Sequence, residues 1–381
     1  MLKKIIRPGE PGYRQCPITI MDTTDPDITF DVSGVSSWVT FYHEKVLPHW
    51  NPAGNPTAFR ALIDRIKADG KGKEYDCALG LSGGVDSSYL AYIAKREGLR
   101  PLLVHTDAGW NSDIAVTNIE KIVKSTDFDL FTVVIDWDQM ADLQRSFLRA
   151  GVPNQDIPQD HVIFAAFYGL AAKHGIKWVL SGHNYACESV LPPAWGYDAM
   201  DLRHVTGIHK RYGERPLGTF PRMSRLRNGV LYTLLGGMRV AKPLDLLPYI
   251  RAEAMEVLER EFGWQYYGGK HFESRWTRFF QGWWLPTRFG YDKRLPHLSS
   301  MILSGQITRE EALKEMETPC YTQSMMEEDR DLVLKKLGMS LPVWNEIMAS
   351  PLHDHDEYPK SVWLTKAMIT GRNILRKAGL L

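Results

Sequence analysis

Between an apolar run, Cys77 to Leu81, and a helix-like pattern carried by Leu90, Ile93 and Ala94 lies Ser82-Gly83-Gly84-Val85-Asp86-Ser87-Ser88. Glycines at a strand-to-helix turn let the backbone approach an anion closely, and the free N–H groups and positive dipole of the helix N-terminus attract it. Ser82, Ser87 and Ser88 add hydroxyl donors. Asp86 does not belong in a simple anion cradle; a carboxylate among phosphate donors makes sense when a divalent cation bridges it to the phosphates. The plain alternative is an ordinary Gly-Gly turn. The agreement of residue types with strand-to-helix context argues against it.

A parallel sheet can hold such a loop. Leu99 to His105 reads as a buried strand ending in Thr106-Asp107-Ala108-Gly109-Trp110, and Ile114 to Val123 has helical spacing. Phe128 to Ile135 is the next strand, with Asp136-Trp137-Asp138 at its end. Gln159 to His174 reads as a helix, and Lys177 to Ser181 as a strand ending in Gly182-His183-Asn184. Alternating strands and helices imply a doubly wound α/β sheet, with ligands at the carboxyl ends of its strands. Those strand ends make Thr106, Asp107, Gly182 and His183 candidates for nucleotide contact. Thr106-Asp107 has a plain reading as a turn, and His183 as a structural histidine. Glu188 offers a second carboxylate for Mg²⁺ or for the substrate. Cys187 beside it is read as a buried small hydrophobe.

Composition sets outer limits. At 381 residues and 44% hydrophobic, the chain can bury one large core or two modest ones. No segment approaches the ~20 apolar residues of a membrane span, and the start has no signal-peptide core, which predicts a cytoplasmic protein. The cysteines, Cys16, Cys77, Cys187 and Cys320, form neither a disulfide framework nor a C-x-x-C pair. A formal net charge of +1 argues against a dedicated nucleic-acid binder.

From about Asp201 the periodicity fades, and the stretch reads as a long excursion over the sheet. Leu246 to Phe262 then reads as a helix. Two polar clusters follow, Lys270-His271-Phe-Glu273-Ser274-Arg275-Trp-Thr277-Arg278 and Gly290-Tyr-Asp292-Lys293-Arg294-Leu-Pro-His297. Thr308 with Glu311 forms a capping-box signature. Helical pieces at Arg330 to Leu337, Leu341 to Met348 and Ser361 to Ala378 complete the chain. The predicted organisation is an N-terminal segment 1–60, a phosphate-loop α/β domain 61–245 and a mainly helical region 246–381.

The Ser82–Ser87 run lacks the lysine and span of G-x-x-x-x-G-K-[ST]. It resembles instead the pyrophosphate loop of the PP-loop ATPases (adenine nucleotide α-hydrolase-like), which cleave ATP between the α and β phosphates. The two distal clusters together with Ser304-Gly305-Gln306 resemble the N-acetyl sugar amidotransferase family of the WbpG/PseA type, enzymes of lipopolysaccharide and O-antigen synthesis. The likeness spans roughly Cys16 to Thr318. It implies conversion of an acetamido group of a sugar nucleotide to an acetamidino group through an O-adenylyl imidate. ATP and Mg²⁺ are implied as cofactors. The implied partner is an ammonia-supplying glutaminase with a cyclase-like subunit, similar to imidazole glycerol phosphate synthase. Under it, Ser82, Gly83, Gly84, Val85, Ser87 and Ser88 hold pyrophosphate and Asp86 the metal. Lys270, Lys293 and Arg294 face phosphates or developing charge, and His271 and Glu273 move protons. The family's N-terminal segment usually carries two C-x-x-C pairs. Here only Cys16 remains, with Thr19, Ser36 and Val39 at the other positions, so no structural zinc is expected and Trp38, Phe41 and Tyr42 are expected to hold the segment by packing. The alternative is an RNA-modifying PP-loop enzyme, a tRNA thiolase or lysidine-forming ligase, against which near-zero charge and unpaired cysteines count.

Overall fold

In the computed structural model, which describes residues 2–319 and 321–361, five strands form a parallel sheet. They are Cys77–Gly80 (β1), Pro101–Asp107 (β2), Leu130–Val134 (β3), Trp178–Leu180 (β4) and Arg239–Ala241 (β5), in the order β3-β2-β1-β4-β5. Side chains alternate across the strands, and both faces are covered. Cys77, Leu79, Leu103 and Leu180 enter one core with helices Pro56–Asp69, Val85–Arg96 and Arg251–Phe262. Ala78, Leu102, Val104 and Val179 enter another with Phe167, Leu170 and Ala171 of helix Ile157–Lys173. That two-sided burial is why β1 and β2 read as continuous apolar runs. After β3 the chain returns to pair β4 with β1, so the strand order reverses between β1 and β4, where open α/β sheets bind ligands.

Several elements differ from expectation. The second strand starts at Pro101, not Leu99, as suits a residue with no N–H to give to the ladder. Helix Trp137–Ala150, capped by Asp136 accepting from the Gln139 N–H, was masked by its polar opening; it buries Met140, Leu143 and Phe147. The stretch after Asp201 is no plain excursion. It contains helix Leu202–Tyr212, a wide-turned helix Arg227–Leu235 and edge strand β5, whose exposed Arg239 and Val240 leave no alternation to read. The helix expected from Leu246 begins at Arg251, after Pro248, because proline does not continue a helix interior. The capping box of Thr308 and Glu311 opens helix Arg309–Glu317 as expected. Helices Gln323–Leu337 and Leu341–Ala349 follow, and the piece expected at Ser361 to Ala378 falls, from residue 362 on, outside the described residues.

The C-terminal helices pack around Trp276, Phe279, Phe280, Trp284 and Trp344, and the N-terminal Ile20 and Met21 enter the same core. The Ile20 N–H donates to Ser299 Oγ at 3.3 Å, and the Arg309 guanidinium donates to the carbonyls of Cys16 and Thr19. Cys16 Sγ accepts the backbone N–H groups of Thr19 and Ser36, each at 3.4 Å. Tyr42 is buried, Trp38 donates to Asp25 and packs against the same core, and Phe41, 43% exposed, meets the Trp38 ring edge-on at 5.7 Å. Backbone-to-sulfur bonds, the inserted Ile20 and Met21, and packing of Trp38 and Tyr42 hold this segment.

Candidate active site

The loop between β1 and helix Val85–Arg96 is built by its glycines. Gly83 has φ +78°, and a Cβ there would lie 2.5 Å from the Ala115 carbonyl. Its carbonyl accepts the Trp264 indole N–H at 3.0 Å, so the loop is fixed from behind. Gly84 has ordinary extended angles, φ −74° and ψ 165°, but a Cβ there would lie 3.0 Å from Glu273 Oε1. Ser82 Oγ accepts the Gly84 N–H at 3.2 Å and meets Ser87 Oγ at 3.1 Å, while the Val85 N–H donates to the Tyr267 hydroxyl at 3.3 Å. This is a compact cradle of donors on a helix N-terminus.

Two chambers open at the strand-order reversal. The smaller, ≈ 210 Å³, is lined by the loop and by Gly182, His183, Glu188, Arg251, Lys270 and His297. Asp86 faces it: its Oδ1 accepts from Tyr249 at 2.6 Å and Asn184 at 3.1 Å, and its Oδ2 has no hydrogen bond among the described residues. Burial raises the Asp86 pKa and repulsion from Glu188 adds to the rise; Lys270 opposes it. Lys270 Nζ donates to Glu188 Oε1 at 3.1 Å, and His183 Nε2 stands 3.6 Å from Glu188 Oε2. Burial works against the Glu188 charge, yet Lys270 and His183 outweigh it and push its pKa down to about 2. A carboxylate with a free oxygen beside a phosphate cradle fits Mg²⁺ that shares its coordination with phosphates and water. No cluster of three His, Cys, Asp or Glu among the described residues forms a self-sufficient metal site. Cys187, whose thiol is pushed up to about 12 by burial, is a poor nucleophile.

The larger chamber, ≈ 390 Å³, has one apolar wall of Val104, Leu180, Phe164, Phe167 and Tyr168, suited to a flat base, with Thr106 at the end of β2 beside it. Its polar end presents Asp156, Gln159, Asp160, Thr277 and Gln281. Ser82, Gly182, His271 and Glu273 line both chambers. His271 has φ +62°, a left-handed conformation that non-glycine residues seldom hold without a reason, and its Nδ1 lies 3.6 Å from Glu273 Oε1. The other carboxylate oxygen of Glu273 is buried without a partner among the described residues. Burial lowers the Lys293 pKa to about 8, against the attraction of Asp156 and Asp160.

Of the residues singled out in the sequence, Ser82, Gly84, Val85, Asp86, Ser87, Gly182, His183, Glu188, Lys270, His271 and Glu273 are brought together on chamber walls, and Thr106 with them. Gly83, within the loop, and Ser88, in the helix after it, line neither chamber; the Ser88 hydroxyl is buried and unbonded among the described residues. Asp107 turns back on its own loop, accepting the Gly109 N–H at 2.8 Å. Arg294 binds the Asp292 carboxylate and the Thr318 carbonyl and lines neither chamber, so it serves as a tie between helices. Sequence reasoning missed Tyr249, Tyr267, Arg251, Asp156 and Asp160, while Asn184 and His297 stood in segments it singled out but were given no role of their own. Asp156 and Asp160, four apart, carried a signal that a helix start placed at Gln159 concealed.

Residues 273–370 match the family described as "LPS biosynthesis protein WbpG-like, C-terminal domain". Among curated proteins nothing matches significantly. Solved structures with similarity include the NH3-dependent NAD synthetase from Campylobacter jejuni (13% identity, covering 75% of this chain and 96% of that one, TM-score 0.32). The NAD+ synthetase from Burkholderia pseudomallei is 16% identical, covering 83% and 98%, with TM-score 0.31. The U34-tRNA thiolase from Methanococcus maripaludis is 12% identical, covering 73% and 80%, with TM-score 0.32. No helix among the described residues is long and apolar enough to cross a membrane.

Proposed function

From the premise that this chain carries a WbpG-like C-terminal domain, we propose that it is an ATP-dependent amidotransferase that converts an acetamido group on a sugar nucleotide to an acetamidino group, in lipopolysaccharide or related glycan synthesis. The observation that carries this reading is that Glu273 meets the loop at Gly84, so the WbpG-like region supplies the wall opposite the phosphate cradle.

An amide carbon is a weak electrophile with a poor leaving group. Attack of its oxygen on the α-phosphorus of ATP expels pyrophosphate and converts that oxygen into part of AMP, which ammonia can then displace. Such chemistry needs positioning and charge neutralisation more than covalent help. The apolar wall of the larger chamber takes the base. The loop donors with Lys270 and Arg251 hold the departing pyrophosphate in the smaller chamber. Asp86 would hold Mg²⁺, which would supply neutralisation of phosphate charge. His271 and Glu273, at the junction, stand where the reacting groups meet and can relay protons. Free ammonia is scarce at neutral pH, which favours a glutaminase partner that delivers it.

The test is incubation of the purified chain with UDP- and CMP-linked acetamido sugars, ATP, Mg²⁺ and ammonium, followed by mass spectrometry. Replacement of the amide oxygen by NH, with AMP and pyrophosphate released, is the expected result. AMP release with no sugar modified, or no ATP cleavage with any of these sugars, overturns the proposal.

A further inference from the structure

The polar end of the larger chamber holds groups that the mechanism above leaves unused. Asp156 and Asp160 sit one turn apart at the start of helix Ile157–Lys173, so their side chains share a face. Both line the chamber. Asp156 is 6% exposed and fixed by Thr277 Oγ1, which donates at 3.1 Å and itself accepts from Gln159 Nε2 at 3.2 Å. The Asp160 carboxylate has no hydrogen bond or ion pair among the described residues, although Lys293 attracts it from a distance. The Asp160 side chain is half-buried on the chamber wall, so a cation entering the chamber meets a carboxylate that no described residue has paired. Burial raises both groups, Asp156 to about 6, and repulsion from Asp156 adds to the rise at Asp160; an arriving cation favours their charged forms.

The reaction proposed above, on which this inference rests, generates such a cation. When the amide oxygen forms its bond to the α-phosphorus and the bond to pyrophosphate breaks, the nitrogen keeps its hydrogen and the imidate is positive. The ammonia lone pair then forms the C–N bond, the C–O bond breaks with its electrons on AMP, and one ammonia proton passes to the departing phosphate. The product amidinium is a flat, two-nitrogen cation that pairs with a carboxylate through two parallel hydrogen bonds, as guanidinium does.

We propose that Asp160, supported by Asp156, forms the subsite that binds the positive imidate and amidinium group as it develops. It is a catalytic contact with the reacting carbon's nitrogens, and it selects cationic planar groups over neutral amides of equal shape.

The probes are acetamidinium chloride and acetamide, titrated separately into the full chain by NMR at pH 7.5 without ATP or sugar. Wild type is expected to bind acetamidinium at least about tenfold more tightly than acetamide. The preference is expected to vanish in Asp160→Asn and to persist in Asp160→Glu, with urea unfolding used to compare the variants' stability. Equal binding of the two probes by wild type overturns the subsite, as does an undiminished preference in a folded Asp160→Asn; should that variant not fold, loss of preference in Asp160→Glu overturns it. Because no turnover is needed, the outcomes separate: a chain that makes acetamidino sugar but shows no cation preference loses only the subsite. One that prefers the cation but makes no product loses only the reaction.

Discussion

Adjacent glycines in the phosphate loop are expected to fail in opposite ways when each receives a methyl group. At Gly83 the backbone has φ +78°, and the added Cβ would meet a backbone carbonyl, Ala115 O, at 2.5 Å. A left-handed alanine costs about 1–2 kcal/mol and a steric intrusion that backbone must absorb costs about 1–3 more. Gly83→Ala should therefore lose about 2–5 kcal/mol of unfolding free energy, a large part of a typical domain's stability. At Gly84 the angles suit alanine, and the near atoms are ends of side chains, Glu273 Oε1 at 3.0 Å and Ser82 Oγ at 3.1 Å. Gly84→Ala should change stability by less than about 1 kcal/mol, since a compatible Gly→Ala even stabilises through the unfolded chain. Under the proposed function, however, its methyl intrudes between the loop and Glu273, where phosphate oxygens would approach. ATP-dependent AMP formation should fall by about a hundredfold or more, as misplacement of about 1 Å is enough to do. Urea unfolding and AMP release, measured on both variants, check the pair. A stable, inactive Gly83→Ala or a fully active Gly84→Ala would refute this account of the loop.

Lys270→Ala should reduce turnover by at least about a hundredfold with ammonium and with glutamine plus glutaminase alike, because it removes the Glu188 pair and the proposed phosphate contact before nitrogen arrives; loss with glutamine alone would move Lys270 to the ammonia route. Acid should unfold the protein through a buried histidine pair. Asn154 N–H donates to His355 Nε2, so His355 Nδ1–H donates to His204 Nε2 at 3.0 Å and His204 Nδ1–H faces the Pro359 carbonyl. Burial depresses both, His204 to about 4, so stability is full above the unfolded value of about 6.5 and falls below it by about 1.4 kcal/mol per pH unit for each histidine. His355→Phe should cost stability at pH 7.5 yet shrink the loss between pH 7.5 and 5 by about 2 kcal/mol, and an unchanged pH slope in urea unfolding counts against the pair. Metal analysis of purified protein should find no stoichiometric zinc, since one thiolate, Cys16, cannot close a tetrahedral site; one zinc per chain would mean a different ligand set.

The sheet's central strands were legible because burial on both faces writes an unbroken apolar run, and the loop because glycine and serine at a strand-to-helix turn have few other uses. Edge strand β5 was not, being three residues long with an exposed middle. The loop residues, with Lys270, His271 and Glu273, were visible through motif and resemblance. Tyr249, which donates to Asp86 from 163 positions away, was invisible because a lone tyrosine carries no spacing. Asp107 and Arg294 misled for a shared reason: a side chain at a strand or helix end often satisfies itself nearby, as Asp107 does with Gly109 and Arg294 with Asp292. Residue type alone does not say which way it turns.

The loop is pinned by residues made late. Trp264, which bonds the Gly83 carbonyl, follows it by 181 positions, and Glu273, against Gly84, comes later still. On the ribosome, β1, β2, β3 and β4 all emerge before any of these. A nascent chain can therefore possess the glycine turn and most of its sheet while its cradle stays slack and open to water. Closure of the loop is thus timed to the last third of synthesis: termination between Ser88 and Trp264 yields a fragment with the glycine motif but without the groups that pin it.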